Sequence, residues 1–119
     1  MLTKDYLVAV ATEQPIVMLQ SRIMKLTARA IDDFVVTRFS QGSRVACIKF
    51  QDICPIVQTT TDNDPLLTPS FLSEWVINGM SRYAESSELN VLGNISTASP
   101  YELRIDLHDV RRAINGMHF

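Results

Sequence analysis

The segment from Pro15 to Ile31, PIVMLQSRIMKLTARAI, carries the longest clean helical pattern in the chain. Its apolar side chains spread over roughly 200° of the helix circumference, which is more than a helix lying on a single surface needs. Pro15 suits the first helical turn, because a proline has no N–H to leave without a partner and its fixed φ already matches the helix. We therefore expect a central helix with other elements packed around it.

The polar side of this central helix carries three cations, Arg22, Lys25 and Arg29. Their spacing of i, i+3 and i+7 places them above one another along one ridge of the helix. We call this set the basic ridge. It is compatible with a solvated helix face, with a contact to an acidic partner protein, and with a weak, salt-dependent contact to nucleic-acid phosphates.

The residues after the central helix predict a first group of strands. Residues 34–39 and 45–50 are rich in β-branched and aromatic residues, and the turn-forming segment 40–43 separates them, so we predict a hairpin. Residues 53–60 predict a third strand, which lies at a sheet edge or begins after Pro55, because proline donates no backbone hydrogen bond.

A second long helix is predicted from Pro69 to about Glu85. Thr68 precedes the proline and is expected to cap the helix with its hydroxyl. Gly79 falls near the middle of the apolar face, where a glycine costs about 1 kcal/mol relative to alanine. We expect the close approach of another backbone, from the central helix or from a sheet face, to compensate for that cost.

The last third of the chain alternates in hydrophobicity with a period of two. Residues 89–95 and 101–107 predict a second hairpin, with a turn at 96–100. One face of this hairpin is apolar and the other polar, as in an antiparallel sheet that helices cover on one side. A short helix follows, which Asp109 is expected to cap and Gly116 to end.

Together these elements predict one α+β domain over residues 1–119. An antiparallel sheet of about four to five strands packs against two long helices and a short C-terminal helix. Residues 3–12 are compatible with a helix and with a strand, and both alternatives stay open. The order of elements is similar to that of the small acidic chaperones of bacterial type III secretion, which form dimers and bind extended effector segments. The chain lacks the glycine-containing signature of that family after its second long helix.

The composition limits the compartment and the partners. Eleven basic and thirteen acidic residues give a net charge of -2, which provides no general attraction to nucleic acid or to anionic membranes. The apolar run from Tyr6 to Ala11 is too short for a signal-peptide core or a membrane span. Cys47 and Cys54 are not arranged as CxxC, so we expect two small buried thiols in a reduced cytoplasmic setting, and a disulfide between them stays an alternative.

The best catalytic candidate is His108, which lies beside Asp106 and Asp109 in the sequence, because an imidazole next to carboxylates can act as a base. An exposed residue at a strand-to-helix junction is the competing interpretation. Asp62 and Asp64 resemble the opening of a calcium-binding loop, but the central glycine and the closing glutamate of such a loop are missing. We therefore predict no catalytic centre, no metal site and no cofactor.

These observations lead to the hypothesis of a non-enzymatic protein-binding module: an adaptor, a chaperone-like protein or an inhibitor. We expect it to act as a homodimer, because the chain has a surplus of apolar side chains for its length. The alternative is a weak nucleic-acid-binding protein that uses Arg22, Lys25 and Arg29, although no aromatic-rich strand accompanies these cations to stack on bases. The basic ridge is the predicted partner-binding site in either case.

Overall fold

A computed structural model describes residues 4–61, 64–87 and 95–116 of the chain. These residues form an α+β fold of four helices and one three-stranded antiparallel sheet. The α+β class is the one predicted from the sequence, whereas the described residues contain three strands instead of four to five. The elements in chain order are α1 (Lys4–Ser40), β1 (Val45–Lys49), α2 (Phe50–Thr61), α3 (Pro69–Ser86), β2 (Ile95–Ser99), β3 (Glu102–Asp106) and α4 (Leu107–Gly116).

The predicted central helix is part of α1, which is 37 residues long and therefore begins well before Pro15 and ends well after Ile31. The open alternative for residues 3–12 is resolved as helix from Lys4 onward. Pro15 lies inside α1 and not at its start, so the expected N-terminal boundary is wrong. The middle of α1 is the part that enters the core, through the buried side chains of Leu19, Ile23, Thr27, Ala30 and Ile31.

The strand predicted at residues 34–39 is wrong, because these residues continue α1. Phe34, Val35 and Phe39 pack against the core at spacings of three, four and eight residues from Ile31, which is a helical period. The β-branched and aromatic composition favoured a strand, but packing of this helical face overrides local propensity.

The segment after α1 ends the helix and is not a hairpin turn. Gly42 has a φ of 77°, a left-handed conformation that favours glycine. Its N–H donates to the Phe39 carbonyl, and the N–H of Ser43 donates to the Arg38 carbonyl. This pair of bonds is the Schellman arrangement of a helix C-terminus. The chain therefore reverses through a helix cap before it enters β1.

The strand predicted at residues 53–60 is also wrong, since α2 covers this segment. The buried residues Ile53, Val57 and Thr61 are four residues apart and lie on one side of the helix. Pro55 lies inside α2. The expected order of three consecutive strands is therefore absent from the described residues. The similarity in element order to the type III secretion chaperones depended on those three strands.

The second long helix is confirmed as α3. The Thr68 side chain accepts a hydrogen bond from the Phe71 N–H at 3.1 Å, and Pro69 is the first helical residue, as predicted. Loss of this cap costs a helix about 1 kcal/mol in typical cases. The buried face of α3 contains Leu72, Val76, Gly79, Met80 and Ala84.

The sheet has the order β1-β3-β2, so β3 is central and pairs antiparallel with both neighbours. The strands predicted at 45–50 and 101–107 are confirmed as β1 and β3, but they pair with each other. The turn predicted at 96–100 is wrong, because 95–99 is strand β2. Apart from Ile95, the strand predicted at 89–95 lies outside the described residues.

One face of the sheet faces the core and the other is polar, as the alternating pattern predicted. Leu103 and Ile105 of β3 are buried beside Ala46 and Ile48 of β1. Helices α1 and α2 contact β1, and α3 contacts β2. The helices therefore cover the inner face of the sheet. None of the described helices combines the length and the apolar content that crossing a membrane requires.

Helix α4 follows β3 directly. The cap comes from Asp106, whose Oδ1 accepts the Asp109 N–H at 2.9 Å, so the expectation that Asp109 caps this helix is wrong. Asp109 lies in the first helical turn, where its charge favours the helix dipole. Gly116 is the last helical residue, as predicted. The Arg111 side chain of α4 donates to the Phe39 carbonyl at the end of α1 and thereby joins the two helices.

Candidate functional site

Helices α1 and α3 approach each other most closely at Gly79. A Cβ atom at Gly79 would lie 2.9 Å from the Thr27 Cβ, closer than real side chains approach. Thr27 is fully buried, and its hydroxyl donates to the Ile23 carbonyl at 2.8 Å, so it has a partner within its own helix. Of the two neighbours that the sequence left open for Gly79, the structure shows the central helix and not a sheet face. The expected approach of a backbone is wrong, because the close contact is with the Thr27 side chain.

Beside this contact, a cleft of about 360 Å³ opens between α1 and α3. Two cations border it, Lys25 from α1 and Arg82 from α3, and both are exposed. The rest of its lining combines serine hydroxyls with small and apolar groups: Ser21, Met24, Ala28, Gly79, Tyr83, Ser86 and Ser87. We call this site the α1–α3 cleft.

The α1–α3 cleft has the chemistry of an anion-binding site with an apolar part. Ammonium, guanidinium and hydroxyl groups all donate hydrogen bonds, and charge-assisted bonds to a carboxylate or phosphate are the strongest of these. The two cations belong to different helices, so the packing at Gly79 is what brings them to one cleft. Arg82 also borders a neighbouring cavity together with Glu85, so the local field is not purely positive.

Tyr83 contributes its ring to the cleft, while its hydroxyl is already engaged. The hydroxyl donates to Asp32 Oδ1 at 2.7 Å and so connects α3 to α1. Burial, and next the bond to the Asp32 carboxylate, raise the pKa of Tyr83 above its ordinary value, so the phenol stays neutral at physiological pH. The Asp32 carboxylate is therefore engaged by the Tyr83 hydroxyl.

The three cations of the basic ridge have different neighbours in the structure. All three ridge cations are exposed, as one interpretation of the sequence expected. Lys25 borders the α1–α3 cleft, whereas the Arg22 guanidinium donates to the Thr60 carbonyl of α2 at 3.2 Å. Arg22 thus faces the opposite flank of α1, near the C-terminal end of α2. Arg29 projects from α1 one turn after Lys25.

Neither cysteine is fully buried, whereas the sequence predicted two buried thiols. Cys47 is exposed and Cys54 is half-buried, and both are free thiols. The expected burial of Cys47 is wrong, because Ala46 and Ile48 occupy the inner face of β1 and the strand alternation directs Cys47 outward. Burial raises the pKa of the Cys54 thiol.

His108 lies exposed at the junction of β3 and α4, the position that the competing interpretation of the sequence predicted. Its backbone N–H donates to the Arg44 carbonyl, and its neighbour Asp106 is engaged in the helix cap. Asp62 lies outside the described residues, and Asp64 Oδ1 accepts the Leu66 N–H at 2.9 Å. In the part of the chain that the structure describes, no group of three or more His, Cys, Asp or Glu side chains is placed to hold a metal ion.

Comparison of the chain with protein-family models, with curated proteins and with solved structures found no match. The α1–α3 cleft is therefore the feature of the molecule that bears on its function. Sequence reasoning identified Lys25 but not Arg82, Ser86 or Ser87. No local signal marks these residues, because their relation to Lys25 arises only when α3 packs against α1.

Proposed function

We propose that the protein is a non-enzymatic protein-binding module, an adaptor, a chaperone-like protein or an inhibitor, that works as a homodimer. Its partner contributes an acidic segment with apolar neighbours, which binds at the α1–α3 cleft. The observation that carries this proposal is the position of Lys25 and Arg82, two exposed cations from different helices at one cleft with an apolar lining. Such a site complements a carboxylate flanked by an apolar side chain.

Apolar side chains extend this surface along α1. Val17 and Met18 are 58% and 71% exposed, respectively. Val17 is four residues before Ser21 and so continues the helical row that lines the cleft, and Met18 is seven residues before Lys25 on the adjacent row. Exposed methionine and valine beside cations are typical of a surface that a partner protein covers.

Nucleic-acid binding through the basic ridge is the alternative function, and it has less support. The Arg22 guanidinium bonds to the Thr60 carbonyl, which leaves fewer ridge cations to contact phosphates. Few phosphate contacts bring weak binding that salt readily abolishes.

Charge reversal at the cleft tests the proposal. Affinity capture from the native lysate compares the unmodified protein with the double variant Lys25→Glu/Arg82→Glu. We expect the unmodified protein to retain a defined protein partner, and the double variant to lose at least about tenfold in retention, because two attractive charges become repulsive. Raising the salt concentration should weaken capture by the unmodified protein.

The matched control is Arg104→Glu/Arg112→Glu, which makes the same change in net charge at two exposed cations away from the cleft. This control should retain the partner. Equal capture by all three proteins, or capture of no protein by the unmodified chain, would contradict the proposal. A nuclease-sensitive nucleic acid as the retained species, lost on changing Arg22, Lys25 and Arg29 to glutamate, would establish the alternative.

A further inference from the structure

The backbone of β1 leaves one edge of the sheet open. The Leu107 N–H donates to the Arg44 carbonyl at 2.8 Å, and the Phe50 N–H donates to the Tyr101 carbonyl at 2.8 Å. In an antiparallel ladder, residues that bond to the partner strand alternate with residues that do not. Between these two bonds, Ala46 and Ile48 therefore exchange bonds with β3, and the N–H and C=O groups of Val45, Cys47 and Lys49 point away from it.

Nothing in the described part of the chain occupies this open edge. The sheet order places β1 at one side, and no group among the described residues bonds to the outward backbone groups of Val45 or Cys47. The Lys49 carbonyl directly precedes α2 and accepts the first backbone bond of that helix, so Lys49 offers its N–H at the edge. The opposite edge differs, because the register of β2 shifts between Thr97 and Ser99. Such a bulge discourages edge pairing, whereas β1 has a regular register along its whole length.

We infer that β1 pairs antiparallel with β1 of a second copy of this chain, across a two-fold axis beside Cys47. This inference rests on the homodimer of the proposed function, and it identifies the surface through which the two copies bind. With Cys47 opposite Cys47, the two cysteines exchange both backbone bonds. Val45 lies opposite Lys49 of the second copy, and the Lys49 N–H donates to the Val45 carbonyl. Like charges directly opposite each other would oppose the pairing, and this register places none in that position.

The side chains on both faces are compatible with this pairing. On the polar face, Lys49 is in register with Glu102 of its own β3, so a carboxylate lies beside the lysine. On the inner face, Ala46 comes next to Ile48 of the second copy, and a small residue beside a large one permits close packing. The six-stranded sheet that results continues the apolar layer of both copies without a break.

The helices above β1 supply further apolar area. Both α1 and α2 contact β1, and a groove of about 350 Å³ between them is lined in part by Phe34 and Ile56. Ile56 is 46% exposed. Stable interfaces bury on the order of 1,200–2,000 Å² in total, more than one five-residue strand provides. We therefore expect a dimer that dissociates on dilution.

Disulfide cross-linking between two Cys47 thiols would detect the pairing directly. Opposed residues in a bonded antiparallel pair have Cα atoms about 5.5 Å apart, within the range that a disulfide spans. Diamide accepts two hydrogens from two thiols, so it should join two chains of the Cys54→Ser variant and none of the Cys47→Ser variant. The matched control is Ser96→Cys in a background that lacks both native cysteines, because Ser96 is also exposed on the sheet but lies on β2.

The expected result is covalent dimer from Cys47 at least about tenfold faster than from the Ser96→Cys control, because pairing holds the two Cys47 thiols together. Equal rates would mean random collision and would overturn the inference. The full chain is used throughout, and a reducing agent should return every sample to single chains.

Cys47→Pro tests the same edge without a thiol. The Cys47 N–H points away from β3, so proline at this position removes an outward donor and leaves the internal ladder intact. In sedimentation experiments over a range of concentrations, we expect the unmodified chain to dimerise and the proline variant to stay monomeric, with unchanged circular dichroism. If the proline variant does not fold, the Cys47 cross-linking rates decide alone.

The outcomes separate this inference from the proposed function. A dimer that persists in Cys47→Pro places the interface elsewhere and leaves the proposed homodimer standing. An unmodified chain that is monomeric at all concentrations overturns both the edge pairing and the proposed dimer. The charge-reversal experiment at the α1–α3 cleft is independent of either result.

Discussion

The two flanks of α1 are packed in different ways, one against α3 and the other against α2. On the α3 flank, Gly79 admits the Thr27 side chain so closely that no Cβ fits between them, and the Tyr83 hydroxyl bonds to Asp32 at 2.7 Å. On the α2 flank, the polar link is the surface bond from Arg22 to the Thr60 carbonyl at 3.2 Å. A shallow groove remains between α1 and α2.

This difference indicates which flank has a defined geometry. Close packing at a glycine and a directional bond to a carboxylate both restrict how α3 lies on α1. Apolar burial and an exposed bond tolerate small shifts of α2 much better, because neither depends strongly on angle. The α1–α3 cleft therefore lies on the flank whose side chains are held in place most strictly.

The largest expected effect is at the helix contact. Gly79→Val should lower the free energy of unfolding by about 2 to 3 kcal/mol, because its Cβ would overlap the buried Thr27 side chain. Chemical denaturation measures this change. The control, Ser81→Val, puts the same residue on the exposed face of α3 and should change stability by less than about 0.5 kcal/mol. Equal effects at the two positions would mean that the contact between Gly79 and Thr27 is not as close as we describe.

A smaller loss of stability is expected when the hydrogen bond between Tyr83 and Asp32, on the same flank, is removed. Tyr83→Phe should cost about 1 kcal/mol at neutral pH, since it removes the donor to Asp32 and keeps the ring. The pKa of Tyr83 is raised in the folded protein, so the folded state favours the neutral phenol. That advantage is complete below the unfolded-state pKa of about 10 and is lost as the pH rises above it.

Denaturation midpoints as a function of pH check this sign. The stability difference between the unmodified protein and Tyr83→Phe should stay constant up to about pH 10 and decrease above it. Tyr101→Phe is the matched control, because the Tyr101 side chain is 56% exposed and its hydroxyl has no partner in the described part of the chain. A difference that grows with pH would contradict the role given to Asp32.

The smallest expected effect is on the other flank. Arg22→Met keeps the apolar stem and removes the guanidinium bond to the Thr60 carbonyl, so it should cost no more than about 0.5 kcal/mol. Arg29→Met is the control, since Arg29 is exposed on the same ridge. A loss above about 1 kcal/mol at Arg22 would mean that the α2 flank is held as specifically as the α3 flank.

End signals in the sequence succeeded for α3 and failed for α1, where Pro15 lies inside the helix, and propensity alone misassigned two segments. The Thr68-Pro69 signal located the start of α3 correctly, because a cap and a proline act through local backbone geometry. Residues 34–39 and 53–60 were assigned to strands from their β-branched and aromatic content, yet both are helical. Such residues fit either structure, and burial of a helical face decides between them.

The candidate site was predicted in part. The helical period was sufficient to place Lys25 on an exposed ridge, and the cost of a glycine in a helix was sufficient to predict a close neighbour at Gly79. Arg82 was not predicted as part of a site, because an isolated arginine on an amphipathic helix has no distinguishing local pattern. Its position beside Lys25 depends on the packing of α3 against α1.

The sequence by itself determined the central helix, the second long helix, the α+β class and the outward row of cations. These features follow from interactions between residues close together in the chain, which the periods and caps record. Only the tertiary structure decided that β1 pairs with β3, that Arg22 and Lys25 face opposite flanks of α1, and that Cys47 lies on an open sheet edge. The physical reason is that pairing, packing and edge position depend on contacts between distant segments, whose energies no local pattern encodes.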